Sequence, residues 1–294
     1  MDAHRLVNST TPSIHDLRRS FSCFDFVDEN FQGLRSARRL FSLARSSDAT
    51  TLVVEDIEPR GVIADEIAEI SQRHSDYIPG EVHRLSFWRK AFKTAQGLDS
   101  AGQHDLVGYA ILKRDILPSG PPRDEWHVFE AVFPKYDHRH NCVPCPKSYA
   151  VAAGHNRFVV QGLMYCQQNA VNKACAQVAL RSLLSRVVTD GDIAYSRINE
   201  IAACVSGGFD SAQGLSPQQM RAILDDYGVA YDDIDYEEEE KHNPDIRRDV
   251  PFQSFLYGGI EAGCGGLLGF SPDVLSAGMA SSPVFARSQC FLFR

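Results

Sequence analysis

Apolar residues at helical spacing stand out most clearly at Cys175–Val188, where Ala176, Ala179, Leu180, Leu183, Leu184 and Val187 fall on one stripe. Asn172 stands just before this run and carries the side chain of a good N-cap. The same spacing predicts a basic amphipathic helix over Phe31–Ser46, with Leu34, Leu40, Phe41 and Leu43 set against Arg35, Arg38, Arg39 and Arg45. Further helices are predicted over Ile63–Arg73, Tyr195–Val205, Leu215–Leu224 and Phe252–Ala262. Gly207 and Gly208 end the second of these, and Ser216 with Pro217 opens the third as cap and first helical residue.

Runs rich in β-branched and aromatic residues predict strands at Thr51–Glu55, Leu106–Lys113, Trp126–Phe133, Tyr149–Ala152 and Arg157–Met164. The Pro/Gly-rich Leu117–Arg123 and the turn Gly154-His155-Asn156 make two hairpins of them, so an antiparallel sheet leads directly into Gln168. Val229–Ile234 and Gly265–Phe270 read as later strands. His83–Lys93 is read as a helix that Phe87, Trp88 and Phe92 anchor to the core. Residues 1–20 are polar and expected to be poorly ordered. The class expected is α+β, in three parts: a polar and basic segment 1–45, a mixed region 46–145, and a region 146–294 organised around the Cys175 helix.

Composition narrows what such a chain does. Its 294 residues, 44% hydrophobic and 23% charged, suffice for a sizeable core. The net charge of −8 argues against nucleic acid as a partner. Much of that excess is local, in Asp232, Asp233, Asp235 and Glu237–Glu240, a run read as a solvated loop. No apolar run is long enough for a membrane span, and Met1–Thr11 has no apolar signal region. Eight scattered cysteines read as reduced thiols of a cytoplasmic protein. Asp137–Cys145 (DHRHNCVPC) packs His138, His140, Cys142 and Cys145 too tightly to close well around one zinc ion, so neither metal nor cofactor is expected.

The candidate chemistry lies at Cys175 and Gln168. With Asn172 as cap, Cys175 is the third helical residue, inside the positive end of the helix dipole and beside Lys173, a setting that favours the thiolate. On the helical wheel it edges the predicted apolar stripe. Gln168 ends the preceding strand and offers an amide N–H. A cysteine at a helix start with a glutamine shortly before it can supply a nucleophile and an oxyanion donor. The bland reading of a lone cysteine, a small hydrophobe packed in the core, stands beside it.

At Gln168…Cys175-Ala-Gln-Val-Ala-Leu, and over about residues 160–270, the sequence resembles the papain-like cysteine peptidases, nearest the bacterial branch that includes the double-glycine leader peptidases. The glutamine-to-cysteine spacing is about one residue long for that pattern, and Cys175-Ala176 stands where Cys-Gly is usual. The resemblance implies a papain-like fold and hydrolysis of a peptide or related amide. In that scheme Cys175 attacks the carbonyl, and its N–H with the Gln168 amide holds the oxyanion. It also implies a catalytic histidine at the head of a strand after Gly265–Phe270, yet Ser271–Arg294 contains no histidine. His242 comes too early in that order, and His127, His138, His140 and His155 precede the cysteine. The chain is therefore expected to lack the C-terminal part of the fold, to turn over little or no peptide, and to leave Ser288–Arg294 as an unpaired sheet edge. Acyl transfer or deamidation on the same fold, and a non-catalytic binding module with Cys175 in its core, are the alternatives.

Overall fold

The structure, a computed structural model, describes residues 11–18, 21–134, 147–169, 171, 174–188, 193–208, 214–262, 264–270 and 288–293. These fall into two compact units divided between Gln219 and Met220. The first contains, in chain order, β1 (Ser13–Asp16), α1 (Cys23–Phe31), α2 (Arg35–Ser46), β2 (Thr51–Asp56), α3 (Val62–Arg73), β3 (Ile78–Trp88), α4 (Ala95–Asp99), β4 (Leu106–Leu117), β5 (Arg123–Phe133), β6 (Lys147–Ala153), β7 (Asn156–Tyr165), α5 (Cys175–Val187) and α6 (Tyr195–Ser206). The strands form one seven-stranded antiparallel sheet in the order β1-β2-β3-β4-β5-β7-β6. The mixed class and the antiparallel sheet expected from the sequence are both present.

Both faces of this sheet are buried. Leu52, Leu85, Phe87, Leu112 and Val128 pack under Val27 and Phe31 of α1 and Leu40 and Phe41 of α2. Val53, Val82, Tyr109, Ile111 and Val132 pack on the other side with Ile63 of α3, Val178 of α5 and Tyr195 of α6. A strand covered on both sides loses the polar–apolar alternation that marks a half-exposed one. That explains one departure from the sequence reading: His83–Lys93 is not a helix, because residues up to Trp88 belong to β3. Phe87 and Trp88 are wholly buried there and offer no surface for stacking bases.

Two further departures lie near the N-terminus. Part of the stretch expected to be poorly ordered is β1, paired with β2 from Ser13↔Val54 to Asp16↔Thr51. The helix expected over Phe31–Ser46 is two helices. Gln32 (φ 51°) and Gly33 (φ 72°) both take left-handed backbone, which ends α1 and lets the chain restart as α2.

The helix at the boundary between the units opens as predicted: Ser216 Oγ accepts the Gln219 N–H at 3.2 Å and Gln219 Oε1 accepts the Ser216 N–H at 2.8 Å, a reciprocal cap. This helix, α7 (Pro217–Asp226), carries the division between the units. The second unit continues with β8 (Tyr231–Asp235), α8 (Tyr236–Glu240), α9 (Ile246–Asp249), α10 (Phe252–Glu261), β9 (Gly265–Phe270) and β10 (Ser288–Phe293). The acidic run is thus strand β8, which holds Asp232, Asp233 and Asp235, and the short helix α8 rather than a loop. Tyr236 is buried at its start and donates its hydroxyl to the Val250 carbonyl at 2.7 Å. The sheet order is β8-β10-β9, so β10 pairs on both sides. Ser288–Phe293 is the centre of a sheet, and the expected unpaired edge is corrected.

Close strand approach makes one glycine indispensable. A Cβ on Gly162 of β7 would sit 2.1 Å from the Phe133 carbonyl oxygen of β5. Backbone cannot yield to that overlap. Gly162→Ala should lower the urea midpoint by an amount worth about 1–3 kcal/mol or more, whereas Gly208→Ala, with nothing within 4 Å of the new atom, should not. Equal midpoints for the two variants would show that the β5–β7 approach is looser than described.

Candidate active site

The site is best built from α5, which carries Cys175. Its N-cap is Ala174 without a side-chain cap, and Cys175 is the first helical residue. The expected cap, Asn172, and Lys173 lie outside the described residues. The buried side of α5 is also not the stripe expected. Leu180 and Leu184 are buried, but Gln177, Arg181 and Ser185 are buried beside them, while Leu183 is only partly buried and Val187 is exposed.

Each of the three polar residues has a partner that explains its burial. Arg181 Nη2 donates to Glu130 Oε2 at 2.6 Å and Nη1 to the Phe129 carbonyl at 3.3 Å. Its guanidinium lies 4.5 Å from the Phe129 ring and 5.6 Å from the Tyr195 ring. Gln177 donates to Asn199 Oδ1 of α6 at 3.2 Å, and Ser185 meets the Tyr149 hydroxyl at 3.2 Å. A wholly buried guanidinium must face its carboxylate, so the ion pair, and not the leucines alone, sets the rotation of the helix. With that rotation Cys175 is exposed and the core reading of this cysteine is excluded. Its Sγ and its N–H have no hydrogen-bond partner among the described residues.

The connection from β7 to α5 is pinned by side chains on either side of Gln168. Gln167 Oε1 accepts from Ser36 Oγ of α2 at 2.7 Å and from the Val128 N–H at 3.2 Å, and the Gln167 N–H donates to the Val128 carbonyl at 2.8 Å. Asn169 is buried and donates to Glu66 Oε1 of α3 at 2.8 Å while accepting the Val171 N–H at 3.1 Å. Cys166 Sγ receives Arg181 Nη1 at 3.5 Å. Gln168 is exposed between these anchors. The sequence reading chose the exposed glutamine and missed its structural neighbour Gln167.

The Asn169 bond leads into a buried polar cluster that the sequence did not reveal. Lys113 Nζ sits between Glu66 Oε2 at 2.8 Å and Asp115 Oδ1 at 2.7 Å. Asp115 Oδ1 also accepts the Tyr77 hydroxyl at 2.5 Å. Burial, reinforced by Asp115, holds the Tyr77 phenol well above its ordinary range. His127 is fully buried beside them, its Nδ1 3.2 Å from Asp115 Oδ2, and neither ring nitrogen completes a hydrogen bond among the described residues. Burial lowers its pKa and keeps the ring neutral. Strand alternation, which brings Lys113 opposite His127, was the available signal.

Among the described residues of the first unit, no imidazole hydrogen-bonds Cys175. His127 belongs to the buried cluster, His155 is exposed in the β6–β7 turn, and His242 lies in the second unit with Nδ1 3.3 Å from the Glu238 carbonyl. His138, His140 and the rest of Asp137–Cys145 lie outside the described residues. Among the described residues no group of three or more His, Cys, Asp or Glu could hold a metal ion, and no helix is long and apolar enough to cross a membrane. No family model, curated protein or solved structure matches this chain.

Two outcomes follow from the buried charges. Arg181→Met leaves Glu130 without its cation and should cost about 3–5 kcal/mol; adding Glu130→Gln should restore much of that, as read by urea unfolding of both variants. Near-additive losses would deny the coupling. The second concerns pH. His127 titrates in the unfolded chain near its ordinary 6.5 and lower when folded. The unfolded state therefore binds the extra proton first. Stability from this residue is full above about pH 6.5 and falls as pH drops below it, by up to about 1.4 kcal/mol per pH unit. Subtracting the pH profile of a His127→Asn variant should expose this slope. A flat difference curve between pH 7.5 and 5 would show that the ring is not held neutral.

Proposed function

We propose that this chain is a cysteine-nucleophile hydrolase of papain-like architecture that acts on a peptide or related amide. Cys175 Sγ attacks the carbonyl carbon, and the Cys175 N–H with the Gln168 side-chain amide receives the oxyanion. The carrying observation is the exposure of Cys175 at the first residue of α5, whose opposite side is held by the Arg181–Glu130 pair. A first-turn N–H has no acceptor within its own helix, and that of Cys175 makes no hydrogen bond to another described residue. The anchored neighbours Gln167 and Asn169 support the same reading by fixing the backbone around Gln168. Acyl transfer and deamidation would use the same groups.

A second reading, a binding module that keeps the architecture without turnover, is favoured by one observation. The next described strand after β9 is β10, and it opens Ser288-Gln289-Cys290 with no imidazole to activate the thiol or protonate a leaving amine. Acylation by an activated electrophile needs no such acid, whereas amide cleavage does.

Alkylation separates the two. At pH 7 iodoacetamide should modify Cys175 at least about tenfold faster than Cys204, the other exposed cysteine among the described residues. Mass spectrometry of wild type and Cys175→Ala reads both rates. A rate no greater than that of Cys204 removes the nucleophile and leaves the binding module. Cys175-dependent cleavage of a peptide library would remove the binding module instead.

A further inference from the structure

A cleft of about 700 Å³ opens in the first unit between α1 and the β1–β3 end of the sheet. Its volume is that of a small-molecule site, roughly 300–1,000 Å³. Aromatic rings run along it: His15 lies 5.0 Å from Phe26, Phe21 5.3 Å from Phe26, and Phe26 5.9 Å from Phe31, centroid to centroid. Three carboxylates, Asp25, Glu29 and Asp56, line the same space, and no lysine or arginine does. Burial lowers the His15 pKa, so this ring adds no positive charge at neutral pH.

Asp56 is met by the imidazole of His83, which also lines the cleft, with Nδ1 2.6 Å from Oδ1; no such partner meets Asp25 or Glu29 among the described residues. Asp25 and Glu29 stand one turn apart on α1, where like charges repel. Asp25 has the compensation of the helix start. Glu29 has none: it lies toward the C-terminal end, where the dipole disfavours an anion, and the last turn of α1 holds no basic residue. Their neighbour Asp28 is answered by Arg38, yet Asp25 and Glu29 have no cation among the described residues. Repelling anions over an electron-rich ring surface form the complement of one ligand chemistry.

We propose that this cleft binds an organic cation, with an alkylammonium or guanidinium group between the Asp25 and Glu29 carboxylates and against the Phe26 ring. The rings take the apolar stem and the face of the cation, and the carboxylates take its charge and N–H donors. Such a group comes from a free amine or from a lysine or arginine side chain, and the probes distinguish these sources. The proposal is independent of Cys175.

Calorimetric titration of the full chain at low salt provides the test, using agmatine and n-butylamine as free cations, the Nα-acetyl amides of arginine and lysine as side-chain forms, and Nα-acetylnorleucine amide as the neutral control. At least one cation should bind about tenfold or more tightly than the control, and weaken as salt is raised. Asp25→Asn with Glu29→Gln should reduce that affinity about tenfold; both positions are exposed, and an unchanged thermal unfolding curve checks that the fold is kept. Binding of the free cations alone assigns a small amine, and binding of the amides alone a basic peptide, each in support. No binding, a control that binds equally well, or full affinity in the double variant overturns the proposal.

Discussion

A charge removed from water must be met by an opposite charge or by hydrogen bonds that replace its hydration. The first unit places an unusual number of charges under that constraint on a single sheet face. Arg84 is paired with Glu55 across β2 and β3, Lys113 is held between Glu66 and Asp115, and Arg181 is paired with Glu130. Two of these pairings reach off the sheet, to α3 through Glu66 and to α5 through Arg181. Apolar packing tolerates a helix that turns or slides slightly, but a buried ion pair does not. The exposure of Cys175 at one end of α5 is therefore tied to a carboxylate on β5 that the thiol never touches.

The same constraint explains where the sequence was readable and where it was not. Hairpins betray themselves through turn chemistry, so the β4–β5 and β6–β7 pairs were legible from Leu117–Arg123 and Gly154-His155-Asn156. The Ser216-Pro217 helix start was legible for a similarly local reason. Periodicity failed where burial was set by tertiary partners. In α5 the wheel counted Leu183 and Val187 as inward and left Arg181 out of the stripe, because nothing local shows that an arginine is buried until its partner Glu130 is known. In β3 burial on both faces erased the alternation, and the aromatics then passed for helix anchors. The mixed class with its antiparallel sheet was legible; helix rotation was not.

The candidate site divides along the same line. That Cys175 opens a helix was written in the local sequence, although the cap residue was misplaced and the helix begins later than Asn172 would have it. That Gln167 is anchored was not legible, since only the fold brings Ser36 and Val128 to it. The cluster around Lys113 and His127 showed in the sequence only through the cross-strand placement of those two. Its members come from four separate segments, and no one of them carries a motif.

The arrangement of the second unit bears on how the chain acquires its structure over time. β8 and β9 are joined to each other only through β10, which lies between them and comes last in sequence. Among the described residues neither has a strand partner until that segment arrives. β8 must in the meantime remain an unpaired strand while α8, α9, α10 and β9 are already present. Contacts so distant in sequence close slowly, and an unsatisfied strand edge is a site for pairing with other chains. During synthesis this interval is when the protein is most exposed to aggregation, so its yield in a cell should depend on how quickly β10 follows β9 or on what shields β8 until it does.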